Sequence, residues 1–145
     1  MKFALLEAQK AFQKNEVPVG AVIVHANRLI GRGHNSVETL QDATAHAEMM
    51  AIQAAEKQLN SWRLDDAKLY VTLEPCSMCA GAILLSRIDK VVFGAHDPRY
   101  GACGSVLQIA DNDSLDVRTE LVSGVLEHEC SDILKQFFRQ LRQRK

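Results

Sequence analysis

The sequence predicts an α/β fold built on a mixed sheet of about five strands, and three observations carry that expectation. Lys68–Leu73 and Lys90–Phe93 are short strand-like runs flanking a helical segment, and strand, helix, strand over this length is a βαβ unit with parallel pairing. Val19–His25 and Leu29–Asn35 are separated only by Ala26-Asn27, as two paired strands around a tight turn would be. A chain of 145 residues with 47% hydrophobic and 24% charged residues has the size and composition of one globular domain. Folding should bury roughly 68 to 70% of the unfolded surface, enough for a core without disulfide staples.

Each element follows from local signals. Phe3, Leu6, Ala8 and Phe12 recur near helical spacing, so Met1–Lys14 opens the chain as a helix that stops before Pro18. It has no capping residue of its own, which leaves room for a preceding turn. Ser36–Ala43 is polar and reads as a loop, and Thr44 is the expected cap of a helix running to about Leu59. Pro75 suits the first position of the next helix, which should end near Ser86. Asp97–Ser105, with Gly101 and Gly104, has the composition of a functional or connecting loop, and Asp111–Asp116 is acidic and exposed. Val117–Val122 is the last expected strand. From Leu126 to about Arg144 an amphipathic helix carries Ile133, Leu134, Phe137, Phe138 and Leu141 on its apolar side.

Charge is unevenly placed. Residues 1–132 hold 12 Lys and Arg against all 18 Asp and Glu, whereas residues 133–145 hold five basic residues and no acid. A basic C-terminal helix on an acidic body is either a polyanion contact or a solvated helix end. Lys135, Arg139 and Arg142, spaced by four and three, share one helix face and could follow a phosphate backbone. No apolar run approaches the roughly 18 to 20 residues of a membrane span, and the first residues lack the apolar region of a signal peptide. The expectation is a cytoplasmic protein with no membrane partner, whose four cysteines are reduced thiols.

Chemistry concentrates in His46-Ala47-Glu48 and Pro75-Cys76-Ser77-Met78-Cys79. Cysteines three apart at a helix start can grip one ion, and the helix N-terminus favours their thiolate form. A Cys-x-x-Cys pair alone would suggest redox chemistry, and His46 alone an ordinary helix-start histidine. Together, His46, Cys76 and Cys79 are a set that suits one Zn²⁺ per chain. Three protein ligands leave a fourth position open, as a catalytic zinc requires; a structural site would need a fourth ligand, for which Cys103, His96 or His34 are the candidates. Glu48 favours the catalytic alternative, because a carboxylate beside the metal can shuttle a proton. His46 and Glu48, two residues apart, can share one site only from a loosely wound first turn.

The blocks Glu16-Val17-Pro18-Val19-Gly20-Ala21-Val22, Thr44-Ala45-His46-Ala47-Glu48, Leu73-Glu74-Pro75-Cys76-Ser77-Met78-Cys79-Ala80-Gly81-Ala82-Ile83 and Val91-Val92-Phe93-Gly94-Ala95 resemble the bacterial tRNA-specific adenosine deaminases. That family belongs to the cytidine/deoxycytidylate deaminase-like zinc superfamily, whose H-x-E and P-C-x-x-C signature is an established pattern. The resemblance spans nearly the whole chain. It implies a three-layer αβα sandwich, a homodimer, and conversion of the wobble adenosine of a tRNA anticodon stem-loop to inosine. Glu48 would move protons from water to N1 of the base and to the departing ammonia. Asn35 matches a family asparagine that contacts the flipped nucleotide, although it could merely end a strand. Asp97 matches a loop position near the substrate backbone, although an Asp before Pro98 also suits a turn. Glu74 is expected to orient the metal-binding helix, and Cys103 stands where the family commonly has alanine. Two alternatives remain at this point: a free-base guanine or cytosine deaminase, which needs no basic helix, and a non-catalytic zinc-stabilised RNA-binding domain.

Overall fold

A computed structural model describes residues 1–145. In chain order the elements are α1 (Lys2–Gln13), β1 (Gly20–His25), β2 (Arg28–His34), α2 (Val37–Leu40), α3 (Ala47–Leu59), β3 (Lys68–Leu73), α4 (Ser77–Leu85), β4 (Lys90–Ala95), β5 (Glu120–Val122) and α5 (Glu127–Gln143). The strands form one sheet in the order β2-β1-β3-β4-β5. β1 is antiparallel to both β2 and β3, and β3, β4 and β5 are parallel. β1 is therefore the one reversed strand, and β2, β3, β4 and β5 all deliver their C-terminal ends to the same edge of the sheet. Helices α1 and α5 cover one face and touch each other, and α3 and α4 meet on the other. This is the three-layer αβα sandwich with a mixed five-stranded sheet. Its apolar core is centred on Ile23, Leu69, Val71, Ile83, Val91 and Phe93.

The β1–β2 hairpin pairs His25 with Arg28 across Ala26 and Asn27, both at positive φ (48° and 60°), as a two-residue type I′ turn demands. Four sequence expectations need correction. Thr44 does not cap α3: its amide and hydroxyl both donate to Asp42 Oδ1 (2.8 and 2.7 Å), so the helix starts later, with His46 at the cap. Pro75 lies outside α4, whose cap is Cys76. The polar 36–43 loop contains the single turn α2, closed by Gln41 in the left-handed region. The last strand is shorter than Val117–Val122, because Thr119 turns away from the ladder; its amide donates to Ala110 O (2.8 Å) and its hydroxyl to Ile88 O (2.9 Å).

The helix that matters most for the site lies unusually close to the sheet. α3 presents Ala47, Ala51 and Ala55, all buried, to Gly31 and Gly33 on β2. A Cβ at Gly33 would fall 2.3 Å from Ala47 O and 2.6 Å from Ala51 N, which are backbone atoms that cannot yield without moving the helix. Gly33→Ala should therefore destabilise the fold by about 1 to 3 kcal/mol, the usual range for overpacking, despite the smaller entropy gain of replacing glycine. A urea midpoint equal to that of the unsubstituted protein would contradict this packing.

Candidate metal centre

Two helices begin at the edge where the parallel strands end. β3 leads through Glu74 and Pro75 to Cys76, the cap of α4, and His46 caps α3. Both caps have extended backbones (φ −75°, ψ 155° and φ −76°, ψ 178°), and neither makes a side-chain capping hydrogen bond. Positions that usually hold Ser, Thr, Asp or Asn are thus occupied by side chains free to face one another. His46 Nδ1 lies 3.6 Å from Cys76 Sγ and 3.6 Å from Cys79 Sγ, and the three donor atoms all fall within 4.8 Å of one another. A tetrahedral ion with metal–sulfur bonds of about 2.3 Å and metal–nitrogen bonds of about 2.0 to 2.1 Å would separate N from S by about 3.6 Å. The donor set fits such an ion.

Electrostatics point the same way. Cys76 is drawn down to about 4, first by its hydrogen bond with Cys79 and also by His46, which outweigh the opposing effect of burial. His46 is raised, chiefly by its interaction with Cys76. The Cys79 thiol is pushed up by its bond to Cys76 and by burial, so negative charge is favoured first on Cys76. The positive ends of α3 and α4 favour that charge.

Glu48 occupies the first turn of α3, buried, two residues beyond the cap. The extended backbone of His46 is what lets two side chains two residues apart face one site. Burial pushes the Glu48 carboxyl up to about 7, and its charge in turn helps to raise the thiols of Cys79 and Cys103. Glu48 is outside the three-donor group, and so are Cys103, His96 and His34. His34 instead meets Glu7 (3.2 Å), and His96 faces Glu74 (3.6 Å).

Asn35 follows β2 at the same edge and is buried. Its Nδ2 donates to Val17 O (3.3 Å), while its Oδ1 has no partner. Asp97 follows β4 and spends Oδ1 on the amides of Arg99 (2.9 Å) and Tyr100 (3.2 Å), folding the turn at the start of the 97–105 loop. Glu74 holds that loop rather than α4. Its carboxylate accepts the amides of Asp97 (3.1 Å), Cys103 (3.0 Å) and Ser105 (3.1 Å), and the Ser105 hydroxyl. Nothing in the sequence marks this bracing role, because the donors lie more than 20 residues away. Lys135, Arg139 and Arg142 are exposed on α5, on the other face of the sheet from α3 and α4.

A MafB19-like deaminase family model matches residues 1–142, which places the chain among the deaminases. The tRNA-specific adenosine deaminase of Bacillus subtilis (strain 168) is 53% identical over 145 residues, covering 100% of this chain and 90% of the relative. A solved structure from work on A-to-I editing by tRNA A34 deaminases at the wobble position of transfer RNA superposes with a TM-score of 0.89 at 43% identity, over 92% of this chain and 97% of that one. A guanine deaminase from Bacillus subtilis matches less of the chain, 66% of this one and 61% of its own, at 42% identity and a TM-score of 0.63. The chain belongs to the tRNA-specific adenosine deaminase family.

Two outcomes test the geometry. Cys103→Ala should retain one bound divalent ion per chain in metal analysis, whereas Cys76→Ala should lose it; loss from the Cys103 variant would make that thiol a ligand. Glu74→Gln should destabilise the protein by about 2 kcal/mol, the scale of a lost charge-assisted bond, and should expose the 97–105 loop to limited proteolysis.

Proposed function

We propose that this chain hydrolytically deaminates the wobble adenosine of a tRNA anticodon stem-loop to inosine, releasing ammonia, with one zinc ion per chain held by His46, Cys76 and Cys79. The observation that carries the proposal is the three-donor group of tetrahedral dimensions, with the Glu48 carboxyl buried beside it at the start of α3. A zinc ion with three protein ligands supplies a Lewis acid that makes water nucleophilic near neutral pH. Glu48 does the proton work. Buried beside the donor group, its carboxylate can accept a proton from the attacking water, pass it to N1 of adenine, and then serve the departing amine. The unpartnered Asn35 Oδ1 is free to accept a hydrogen bond from a nucleotide drawn out of its stack. Asp97 and Glu74 together fix the 97–105 loop, whose Ala102 amide donates to Pro75 O beside Cys76.

Binding of an anticodon loop is supported by the names borne by full-length relatives and by the basic face of Lys135, Arg139 and Arg142. A loop nucleotide is already partly unstacked and cheap to extrude. A homodimer is part of the proposal, and the outer face of α3, where Met50 and Ala54 border the exposed Trp62 among Gln53, Glu56 and Lys57, offers a mixed apolar and polar contact for it. No helix is long and apolar enough to cross a membrane, and the proposed place of action is the cytoplasm with the tRNA pool. The partial likeness to a guanine deaminase supports a second reading, deamination of free guanine. A non-catalytic zinc domain would need a fourth donor, and the compact group has three.

The purified protein should form inosine in an anticodon stem-loop bearing a wobble adenosine and leave free adenosine, cytidine and guanine unchanged. Faster deamination of guanine than of the stem-loop would favour the second reading. Glu48→Gln should keep its metal and its RNA affinity but lose about 10⁴-fold in single-turnover rate, the upper end for one acid–base group.

A further inference from the structure

Along α1, Phe3, Glu7, Lys10 and Lys14 are spaced by four, three and four, which sets them in one row. That row runs beside β2, an edge strand on which Arg32 and His34, two residues apart, point to the same face. The two rows converge on Glu7, only 3% exposed: Lys10 Nζ approaches it at 2.7 Å, His34 Nδ1 at 3.2 Å and Arg32 Nη1 at 3.9 Å. One cation would satisfy a buried carboxylate. Here Lys10 and Arg32 both attend it, and Arg32 also lies over the Phe3 ring (5.5 Å to its centroid). Lys14 has no acidic partner at all; its Nζ stands 3.2 Å from His34 Nε2, a second basic group.

The surplus of positive charge has a direction. His34 precedes Asn35, so the inner end of the strip abuts the residue with the unpartnered Oδ1 at the metal-centre edge. At the end of α1, Asn15 Oδ1 accepts a bond from Arg144 Nη1 (2.8 Å), which joins the strip to the basic end of α5. A cationic path therefore leads from the site along α1 and β2 and continues onto the C-terminal helix, on a body that otherwise carries excess acid. A polyanion entering the site would cross it.

We propose that Lys10, Lys14, Arg32 and His34 form a phosphate-binding track for the RNA that presents the substrate base, with Glu7 as the buried anchor that holds three of them in place. The track rests on the proposed action on an RNA loop and adds a docking surface to it. Lys14 and Arg32 meet phosphate; Lys10 stays with Glu7.

The test is a salt titration of stem-loop binding between 50 and 200 mM, comparing the unsubstituted protein with Lys14→Gln/Arg32→Gln. Glu7 keeps Lys10 in that variant. Each lost phosphate contact lowers the slope of log K against log salt by about 0.7 to 0.9, so the double variant should lose about 1.4 to 1.8. Its Kd near physiological salt should rise about tenfold, with turnover at saturating RNA unchanged. Lys14→Gln alone, at an exposed residue free of any ion pair, should show about half of that loss in slope even if the double variant folds poorly. Arg118→Gln, whose partner is Asp113, should leave the slope alone. Unaltered slope and Kd in both track variants, with the unsubstituted protein still deaminating the stem-loop, would overturn the track and leave the proposed function standing. Lys14-dependent binding to anionic phospholipid vesicles in place of RNA would also overturn it. If the unsubstituted protein neither binds nor deaminates the stem-loop, the proposed function fails and takes the track with it.

Discussion

The contact between α3 and β2 is the constraint on which the rest of the site depends. Ala47, Ala51 and Ala55 lie against Gly31 and Gly33 with no room for another carbon, so the helix has one height above the sheet and one position along it. Its first turn consequently projects His46 and Glu48 over the edge at which β3 hands the chain to Cys76. Larger side chains at this contact would still bury apolar surface. They would also lift α3, and the 3.6 Å separations between His46 and the two sulfurs would be lost. Small residues at this contact hold the donor set together.

Four glutamates are 1 to 4% exposed, and their different fates separate scaffold from chemistry. Burial would raise all of them. At Glu7 it is outdone by hydrogen bonds from Lys10 and His34, at Glu16 by the amides of Thr39 and Glu38, and at Glu74 by Ser105, Asp97 and Cys103, so these three remain below the usual carboxylate value. At Glu48 burial prevails. Three carboxylates are fixed anions that order loops and cations. The fourth is the one that burial holds above the usual carboxylate value, and it lies at the helix start that faces the thiols.

The hairpin, the βαβ unit and the flanking helices were legible in the sequence because each is set by local pattern: alternation, helical spacing, a two-residue turn. The compact donor set was legible from spacing and residue type together. The start of α3 was not, since Thr44 is the better cap by preference and only the competing bond to Asp42 removes it from the helix. Gly31 and Gly33 were visible as glycines, but the partner they admit lies on another element. The bracing role of Glu74 and the approach of Arg32 and His34 to Glu7 depend on residues 20 or more positions apart, brought together by sheet order, which local pattern does not encode.

Glu16 gives one of these long-range ties a dynamic meaning. Residues 38–44 are exposed and hang between two residues of the site edge, Asn35 and His46. Glu16, at the end of α1, receives the amides of Glu38 (3.2 Å) and Thr39 (2.5 Å), and few other bonds hold the segment to the body. Releasing one carboxylate would therefore free a stretch of backbone without disturbing the sheet or the core. Exposure and sparse bonding of this kind are the structural features of a segment of low local stability, here with both ends anchored in the body. Amide hydrogen exchange would follow its opening independently of global unfolding, and the two amides held by Glu16 would report the moment the segment lets go.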